Sequence, residues 1–347
     1  MSLLTEERPI LAPARHDLTF DAAVTGMAFL SGGVLAVACG DGGVRFVPPQ
    51  GSPNSVQAHA KGAAVLTLAV DIDGASVLTG GDDGRLTRTS VDGASTTLLE
   101  VSGRQIDTIA VSGVGGIRAV AFGKEIRLID RAGVVIRGTA DHPSTVTGLA
   151  FNLRGKRLAV SHYNGATLWW ISTLGQSPKR LEWRGSHIGV CWSPDGSTVM
   201  TSMQEAALHG WRLTDGQHLQ MTGYAAKVRS MDWLAKPMTL ATAGGDCVTA
   251  WRFTGGGPIG KPPVEVGCGI GRLVTAVAVH PQRPLVAAGF DDGCLAICEL
   301  VGERTVRLQV GDRARIATLA WSRNGTWLAS GSDDGAVSLF DLSRAAA

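Results

Sequence analysis

Eight histidines offer the side chains best suited to proton transfer and metal binding near neutral pH. Most stand where a repeated segment needs a turn or strand residue: His280 begins a turn, and His209 lies two residues before Trp211 on a predicted strand. His142 is expected to bond within its own repeat. His187 replaces a β-branched residue, which makes it the most unusual of the set and a candidate functional residue. The remaining four show no ligand spacing: His16, His59, His162 and His218.

Six cysteines are scattered singly, apart from Cys294 and Cys298, which lie four residues apart on one predicted strand. A zinc site needs convergent ligands, such as one Cys-x2-Cys pair matched by a second pair. The spacing instead favours core positions for Cys294 and Cys298, and small strand positions for Cys191 and Cys247. We therefore expect no metal, no cofactor and no disulfide framework, which is the cysteine usage of a reducing compartment.

No catalytic motif is recognisable. A Gly-x-Ser-x-Gly nucleophile elbow in a strand-to-helix setting is missing from the sequence, as is a Walker-type phosphate loop. Residues 113–116 and 255–257 are glycine-rich, but they fall between predicted strands and no helix N-terminus follows to hold a phosphate. We interpret both segments as ordinary turns and expect no catalytic residue.

One pattern recurs along the chain: a β-branched residue, two variable positions, an apolar residue, a small residue and a large apolar one. Steps of 41, 41, 40, 41, 41, 46 and 42 residues separate the successive first positions. This period is typical of four-stranded propeller blades. We number the repeats copy one to copy eight by their first positions: Val24, Val65, Ile106, Val146, His187, Val228, Val274 and Ile316.

Each copy continues through a turn, a second strand and a second, tighter turn. Residues 80–84, 289–293 and 331–335 carry Asp-Asp-Gly, a strong hairpin signal. A third strand then ends in a large residue. The acidic residues of these tight turns would ring one face and could bind a cation, but we favour capping of each turn by its own Asp. They are Asp41, Asp82, Asp83, Asp246, Asp291, Asp292, Asp333 and Asp334.

These copies closely resemble the WD40 repeat family over about residues 16–343, and copy eight, with Phe340-Asp341 in place of Trp-Asp, is the nearest match. The resemblance implies an all-β fold, a single closed β-propeller of four-stranded blades. Eight blades are preferred because no segment is left over, and seven is the alternative. The repeats are degenerate: the family's structural histidine survives only at His59 and His142, and its Trp-Asp aspartate only at Asp130 and Asp341.

Closure is expected to use the N-terminus. The chain stops soon after the third strand of copy eight, and residues 16–20 have the alternation needed to supply a fourth strand. This strand would complete the last blade and remove an exposed sheet edge. The predicted organisation is therefore an N-terminal tail (1–15), the propeller (16–343) and a C-terminal tail (344–347).

Charge and hydropathy favour a cytoplasmic protein. Thirty-two basic against thirty acidic residues leave a net charge of +2, too balanced for generic nucleic-acid binding. Residues 1–10 lack the apolar core of a secretory signal, and the longest apolar runs, such as 273–279, are too short to span a membrane.

The expected function is that of a scaffold or adaptor that binds a protein or peptide partner, possibly acidic, on one propeller face. The alternatives are a propeller enzyme with a hydrolase- or lactonase-like site at the channel mouth, and an accessory subunit of a metal-handling or signalling system. It also remains open that the face arginines only pair with neighbouring turn aspartates. The candidate face residues are Lys61, Arg104, Tyr163, Arg184, His187, Tyr224, Lys227, Arg272, Phe290, Arg313 and Arg315, with Tyr163 and Phe290 expected as exposed anchors.

Overall fold

A computed structural model of the protein describes residues 13–139, 142–172, 177–302 and 304–343. Within these ranges the chain forms thirty β-strands and no helix. None of the described segments is a helix able to cross a membrane. Residues 1–12 of the predicted N-terminal tail and the predicted C-terminal tail 344–347 lie outside the described residues.

The strands follow one another in chain order, separated by short turns. The first thirteen are β1 (Ala14–Thr19), β2 (Val24–Phe29), β3 (Leu35–Cys39), β4 (Gly43–Val47), β5 (Asn54–Gln57), β6 (Val65–Val70), β7 (Ser76–Gly81), β8 (Arg85–Ser90), β9 (Ser95–Glu100), β10 (Thr108–Ser112), β11 (Ile117–Phe122), β12 (Glu125–Asp130) and β13 (Val135–Thr139). The next ten are β14 (Gly148–Phe151), β15 (Arg157–Trp170), β16 (Lys179–Trp192), β17 (Thr198–Met203), β18 (Ala207–Arg212), β19 (His218–Met221), β20 (Met231–Leu234), β21 (Thr239–Thr242), β22 (Val248–Arg252) and β23 (Val264–Val266). The last seven are β24 (Val274–Val279), β25 (Leu285–Phe290), β26 (Leu295–Glu299), β27 (Thr305–Gln309), β28 (Ile316–Trp321), β29 (Trp327–Ser332) and β30 (Ala336–Asp341).

All strand pairs are antiparallel, and the described strands form seven sheets, six with four strands and one with six. The six-stranded sheet runs from β14 to β19 and contains both copy four and copy five. Its two long strands, β15 and β16, each pair with two strands: β15 with β14 and β16, and β16 with β15 and β17. β15 bends at Asn164 and Gly165, whose φ angles are 65° and 133°, and the Ile171 amide donates to the Lys156 carbonyl at 2.9 Å, so the strand folds back on itself.

Counted by hydrogen-bonded sheets, the propeller is therefore the seven-blade arrangement given as the alternative, rather than eight separate sheets. The difference has a local cause. The first part of β16 pairs with β15, and its last part, from His187 onward, pairs with β17. Because no break separates these parts, copies four and five share one sheet. All eight predicted first strands are nonetheless present, since copy five supplies the second half of β16.

The N-terminal strand closes the ring as expected. β1 pairs with β30 in the order β1-β30-β29-β28, with His16 opposite Leu339. The Phe20 amide continues the pairing by donating to the Gly335 carbonyl at 3.0 Å. β2 packs against β28, so the first and last copies are in direct contact. The predicted closed all-β propeller is confirmed.

The core lies between neighbouring sheets rather than within one. Ala287 of copy seven, for example, belongs to the same buried cluster as Ile316 and Leu328 of copy eight. Tryptophans also connect neighbouring copies: the Trp192 indole donates to the Ala150 carbonyl of the preceding copy at 2.9 Å, and Trp321 does the same to Ala278 at 3.0 Å. Each sheet therefore depends on its neighbours to bury its apolar face.

The cysteines depart from the prediction at one pair. Cys247 and Cys268 form a disulfide within copy six and its connection to copy seven, so the expectation of unpaired cysteines is wrong there. Sequence spacing could not show this, because the two residues meet only through the pairing of β22 with β23. Cys294 and Cys298 lie outside this disulfide and are buried, as expected for core positions.

Candidate functional site

The tight turns between second and third strands share one face with the segments that lead into the first strands. In copy two, the Asp82 amide donates to the Ala64 carbonyl at 3.2 Å, and the Ala64 amide donates to an Asp82 carboxylate oxygen at 2.9 Å. Copy seven repeats the arrangement with Asp291 and Leu273. We call this surface the turn face.

The turn aspartates cap backbone amides, in agreement with the capping interpretation. Asp83 accepts bonds from the amides of Ala60 and Arg85 at 3.0 and 3.1 Å and contacts His59 Nδ1 at 3.0 Å. Burial alone would raise the pKa of Asp83, but these bonds outweigh it and lower the pKa. His59 Nε2 also lies 2.9 Å from Thr79 Oγ1. These contacts assign the ring of acidic turns a structural role.

A groove of about 720 Å³ opens on the turn face of copy four. The tight turn of copy four forms one wall, and the start of β16 forms the other. Two of the predicted residues, Tyr163 and Arg184, line it together. The sequence interpretation missed four further lining residues: Asn164, Arg180, Glu182 and Trp183. The unusual Asn-Gly turn at 164–165 is the sequence feature that could have indicated this groove.

Local hydrogen bonds hold the Tyr163 side chain outward. The Tyr163 amide donates to Ser144 Oγ at 2.7 Å, and Asn164 accepts a bond from the Gly185 amide at 3.2 Å. Asn164 tolerates its positive φ because its short polar side chain can bond locally. The tyrosine side chain is 53% exposed as a result. Tyr163 is thus exposed, as the sequence predicted, and its role as a binding anchor stays a prediction.

Trp183 forms part of the groove wall and rests on the buried side chain of His209. Its ring stacks on His209 with 3.8 Å between centroids. His209 Nε2 in turn lies 3.0 Å from His218 Nδ1. Burial lowers the pKa of His209 to about 3, so the ring is neutral at pH 7. His209 therefore supports Trp183 by packing and not by charge.

His187 supports the groove from beneath rather than lining it. The side chain is fully buried, with Nδ1 at 2.7 Å from Thr201 Oγ1 and Nε2 at 3.0 Å from the Trp183 carbonyl. Burial lowers its pKa. The prediction of His187 as a surface residue is wrong, because both ring nitrogens are engaged by its own blade and its neighbour.

Two other predicted face residues are also structural. Phe290 is completely buried and packs beside Gly271, so it is not an exposed anchor. The Tyr224 hydroxyl accepts a bond from Trp251 Nε1 at 2.7 Å and lies 2.8 Å from Thr242 Oγ1. Burial raises the pKa of Tyr224 to about 12. The sequence pattern could not reveal these roles, since both residues occupy turn positions where a polar side chain is usual.

The cationic face residues divide into two groups. Some are paired: Arg104 lies 3.3 Å from Glu125 and Arg315 lies 3.2 Å from Asp333, which supports the alternative of local pairing for them. Arg313 has a weaker contact with Asp312 at 3.9 Å, and Lys227 reaches Gln204 at 3.5 Å. The exposed cations with no ion pair to any described residue are Lys61, Arg184 and Arg272.

The remaining histidines hold turns and strands. His142 accepts a bond from Trp169 Nε1 at 3.1 Å within copy four, as predicted. His280 Nδ1 accepts bonds from the amides of Gln282 and Arg283 at 3.1 and 3.0 Å, which confirms its turn role. One group with the geometry of a metal site occurs among the described residues: Cys247, Glu265 and Cys268.

Comparison with known proteins supports the repeat assignment. A family model described as "Anaphase-promoting complex subunit 4 WD40 domain" matches residues 277–347. An mRNA export factor of Macaca fascicularis is 32% identical over 82 residues, 23% of this chain and 22% of that protein. A WD repeat-containing protein 26 homolog of Arabidopsis thaliana is 26% identical over 205 residues, 58% of this chain and 27% of that protein. The matches span only about a quarter of these relatives' own lengths.

Solved structures share the fold over nearly the whole chain. The computationally designed Ika8 protein superposes with a TM-score of 0.74 at 19% identity, covering 93% of this chain and 97% of that one. A chain of a structure described as "Mitotic Checkpoint Complex" gives 0.66 at 15% identity, covering 98% and 95%. These likenesses concern the fold alone. With the repeats and the closed ring, they define the class: a β-propeller whose repeats are similar to those of WD40-repeat proteins.

Proposed function

We propose that this chain is a non-catalytic scaffold that binds an acidic, extended segment of a partner protein in the groove of copy four. WD40 relatives support the general role of a protein-interaction scaffold. One solved neighbour belongs to a multiprotein assembly by its description. The chemistry of the segment and the place where it binds rest on the geometry of the groove.

The observation that carries this proposal is an exposed aromatic ring beside unpaired arginines. Tyr163 is 53% exposed, and Arg180 and Arg184 line the same groove without an ion pair to any residue in the described ranges. Glu182 is the one acidic lining residue, so the charged side chains of the groove favour an anionic ligand. Tyrosine and arginine are the residue types most enriched among binding hot spots.

The backbone of the groove is already ordered, which lowers the cost of binding. The bonds from Tyr163 to Ser144 and from Gly185 to Asn164 fix both walls, and Trp183 is stacked on His209. A partner segment therefore does not have to order the site on arrival, and less of its interaction energy is lost. Exposed arginines would also accelerate encounter with an acidic segment at low salt.

The test is selection of peptides from a random displayed library on the immobilised whole chain. We expect the selected peptides to be enriched in Asp and Glu, and to bind Tyr163→Ala and Arg184→Glu more weakly by about tenfold or more, since a lost hot-spot contact costs at least 1–2 kcal/mol. Fluorescence anisotropy of labelled peptides measures the affinities.

Arg323→Glu is the matched control, because Arg323 is an exposed arginine in the turn between β28 and β29, away from the groove. Its affinity for the selected peptides should equal that of the wild type. Peptides without acidic enrichment, or equal binding by the wild type and both groove variants, would refute the proposal.

A further inference from the structure

Copy six carries the longest step of the repeat, 46 residues to the start of copy seven. Part of this length forms the connection from β23 to β24, which contains Cys268. Cys247 directly precedes β22, and Cys268 follows the end of β23 by one residue. Because β22 and β23 are antiparallel, with Val248 opposite Val266, the two cysteines meet at the same end of this strand pair.

A third donor points to the same place. A carboxylate oxygen of Glu265 and the two sulfur atoms of Cys247 and Cys268 all lie within 4.8 Å of one another. Cys247 is 5% exposed, whereas Glu265 is exposed. Cys247 therefore holds this group of donors to the core, and Glu265 lies on the side that is open to solvent. Two thiolates and a carboxylate are zinc ligands, and three protein ligands with an open fourth position form a familiar zinc coordination set.

We propose that the reduced chain binds one Zn²⁺ ion through Cys247, Cys268 and Glu265, with water at the fourth position. This site is independent of the groove of copy four. The disulfide and the zinc complex are then alternative states of one pair of cysteines.

The conversion between the two states balances as a two-electron reaction. The Cys247–Cys268 bond takes up two electrons and two protons and becomes two thiols: two reductant thiols supply both and become a disulfide, or a phosphine supplies the electrons, water supplies the protons, and the phosphine becomes its oxide. Zinc binding then releases both thiol protons, because the thiolate is the ligand form. Oxidation by a small disulfide reverses the first step and removes both sulfur ligands.

The connection around Cys268 can accommodate the change from the disulfide to the zinc complex. Two sulfurs on one tetrahedral zinc lie about 3.8 Å apart, given Zn–S bonds of about 2.3 Å, so the sulfurs must separate. Gly267 and Gly269 flank Cys268, both with positive φ of about 70° (73° and 70°), a region that glycine populates freely.

Two further cysteines lie near this connection and serve as controls. Cys298 Sγ would be 2.7 Å from a Cβ placed on Gly267, and Cys294 Sγ lies 3.5 Å from the Ile270 carbonyl. Both thiols are buried on the copy-seven side, and neither joins the group of three donors.

The test is equilibrium dialysis of the whole chain against Zn²⁺ with a phosphine reductant, followed by metal analysis. The reduced wild type should hold one zinc per chain, and the diamide-oxidised wild type should hold none until it is reduced again. Co²⁺ in place of zinc should give thiolate-to-metal charge-transfer absorption in the reduced protein only. Reduced wild type that retains no stoichiometric zinc would overturn the proposal.

Variants assign the ligands. Cys247→Ser and Cys268→Ser should each lose stoichiometric zinc, Glu265→Gln should weaken binding, and Cys294→Ser and Cys298→Ser should bind as the wild type does. Loss of zinc in either control, or retention in both Cys247→Ser and Cys268→Ser, would contradict the assignment. The comparison of oxidised with reduced wild type needs no substitution, so the test survives a variant that fails to fold.

Discussion

At the residue scale, the most deeply buried charge of the propeller is an ion pair between copies two and three. Asp71 and Arg118 are both almost completely buried and form two bonds, Arg118 Nε to Asp71 Oδ1 at 2.6 Å and Arg118 Nη2 to Asp71 Oδ2 at 2.9 Å. Burial alone would raise the pKa of Asp71, but the bonds from Arg118 and the Ile72 amide hold it below its usual value. Arg88 adds a third contact at 2.9 Å.

Arg118→Met should lower the free energy of unfolding by about 3 kcal/mol. Removing one partner of a buried pair leaves the other charge uncompensated, and Arg88 only partly replaces the lost bonds. Urea denaturation followed by tryptophan fluorescence measures the change. Arg154→Met, at an exposed arginine, is the control and should stay within about 0.5 kcal/mol of the wild type. An equal effect of both substitutions would argue against the pair.

The buried histidines predict a loss of stability in mild acid. His209 has a folded pKa of about 3, and burial also lowers the pKa of His187. Between pH 3 and the ordinary histidine pKa of about 6.5, the unfolded chain binds more protons than the folded one. Stability is thus complete above pH 6.5 and falls as the pH drops through this window.

Substitution of His209 by Gln should flatten this pH dependence. The slope of unfolding free energy against pH between 4 and 6 should decrease by up to one proton. Urea titrations at several pH values measure the slope. His16→Gln is the control, because His16 lies on the terminal strand β1 and is only half-buried. An unchanged slope in His209→Gln would show that this ring is not kept neutral by the fold.

At the element scale, the sequence predicted the first strands of the copies because the same pattern of β-branched, apolar and small residues recurs in each copy. It did not predict the sharing of β15 and β16 between two copies, since that depends on a bend rather than on an apolar pattern. Tyr163 and Arg184 were found because their residue types stand out in a turn. His187, Tyr224 and Phe290 were misplaced because the burial of residues in strands and connections is decided by contacts with neighbouring segments, which the repeat pattern does not show.

Gly165 is the residue that makes the bend of β15 possible. A Cβ there would lie 2.0 Å from the Leu181 carbonyl oxygen, and its φ is 133°. Gly165→Ala should therefore cost about 2–3 kcal/mol of stability and weaken peptide binding in the groove. Gly216→Ala, with φ of 74° and open space around its Cβ position, should cost about 1 kcal/mol. Thermal unfolding compares them, and equal costs would contradict the steric account.

At the scale of the whole molecule, the ring is held by β1. Leu18 and Phe20 pack against the core cluster that joins copies eight and one, and Asp17 accepts a bond from Ser338. Deleting residues 1–22 exposes the edge of β30 along six paired positions. The sequence could predict closure because copy eight has no fourth strand of its own, and residues 16–20 form a strand that no other copy uses.

The deletion of residues 1–22 should lower the melting temperature by about 10 °C or more, because several kcal/mol of pairing and packing are lost. Differential scanning calorimetry measures the shift. Two point variants of β1 separate the loss of packing from the loss of chain length. Leu18→Asp should destabilise the protein, whereas Thr19→Asp, on the exposed side of β1, should not. An unchanged melting temperature in the deletion would refute closure by β1.

The central claim is that charge at the groove of copy four selects an acidic partner segment. A charge-swap cycle tests it most directly: the affinities of the wild type and Arg184→Glu are measured for a selected acidic peptide and for the same peptide with its acidic residues replaced by lysine. We predict that Arg184→Glu binds the acidic peptide at least about tenfold more weakly than the wild type, a change of about 1.4 kcal/mol, and binds the lysine peptide more tightly than the wild type does. Equal affinities of both proteins for each peptide would contradict the account.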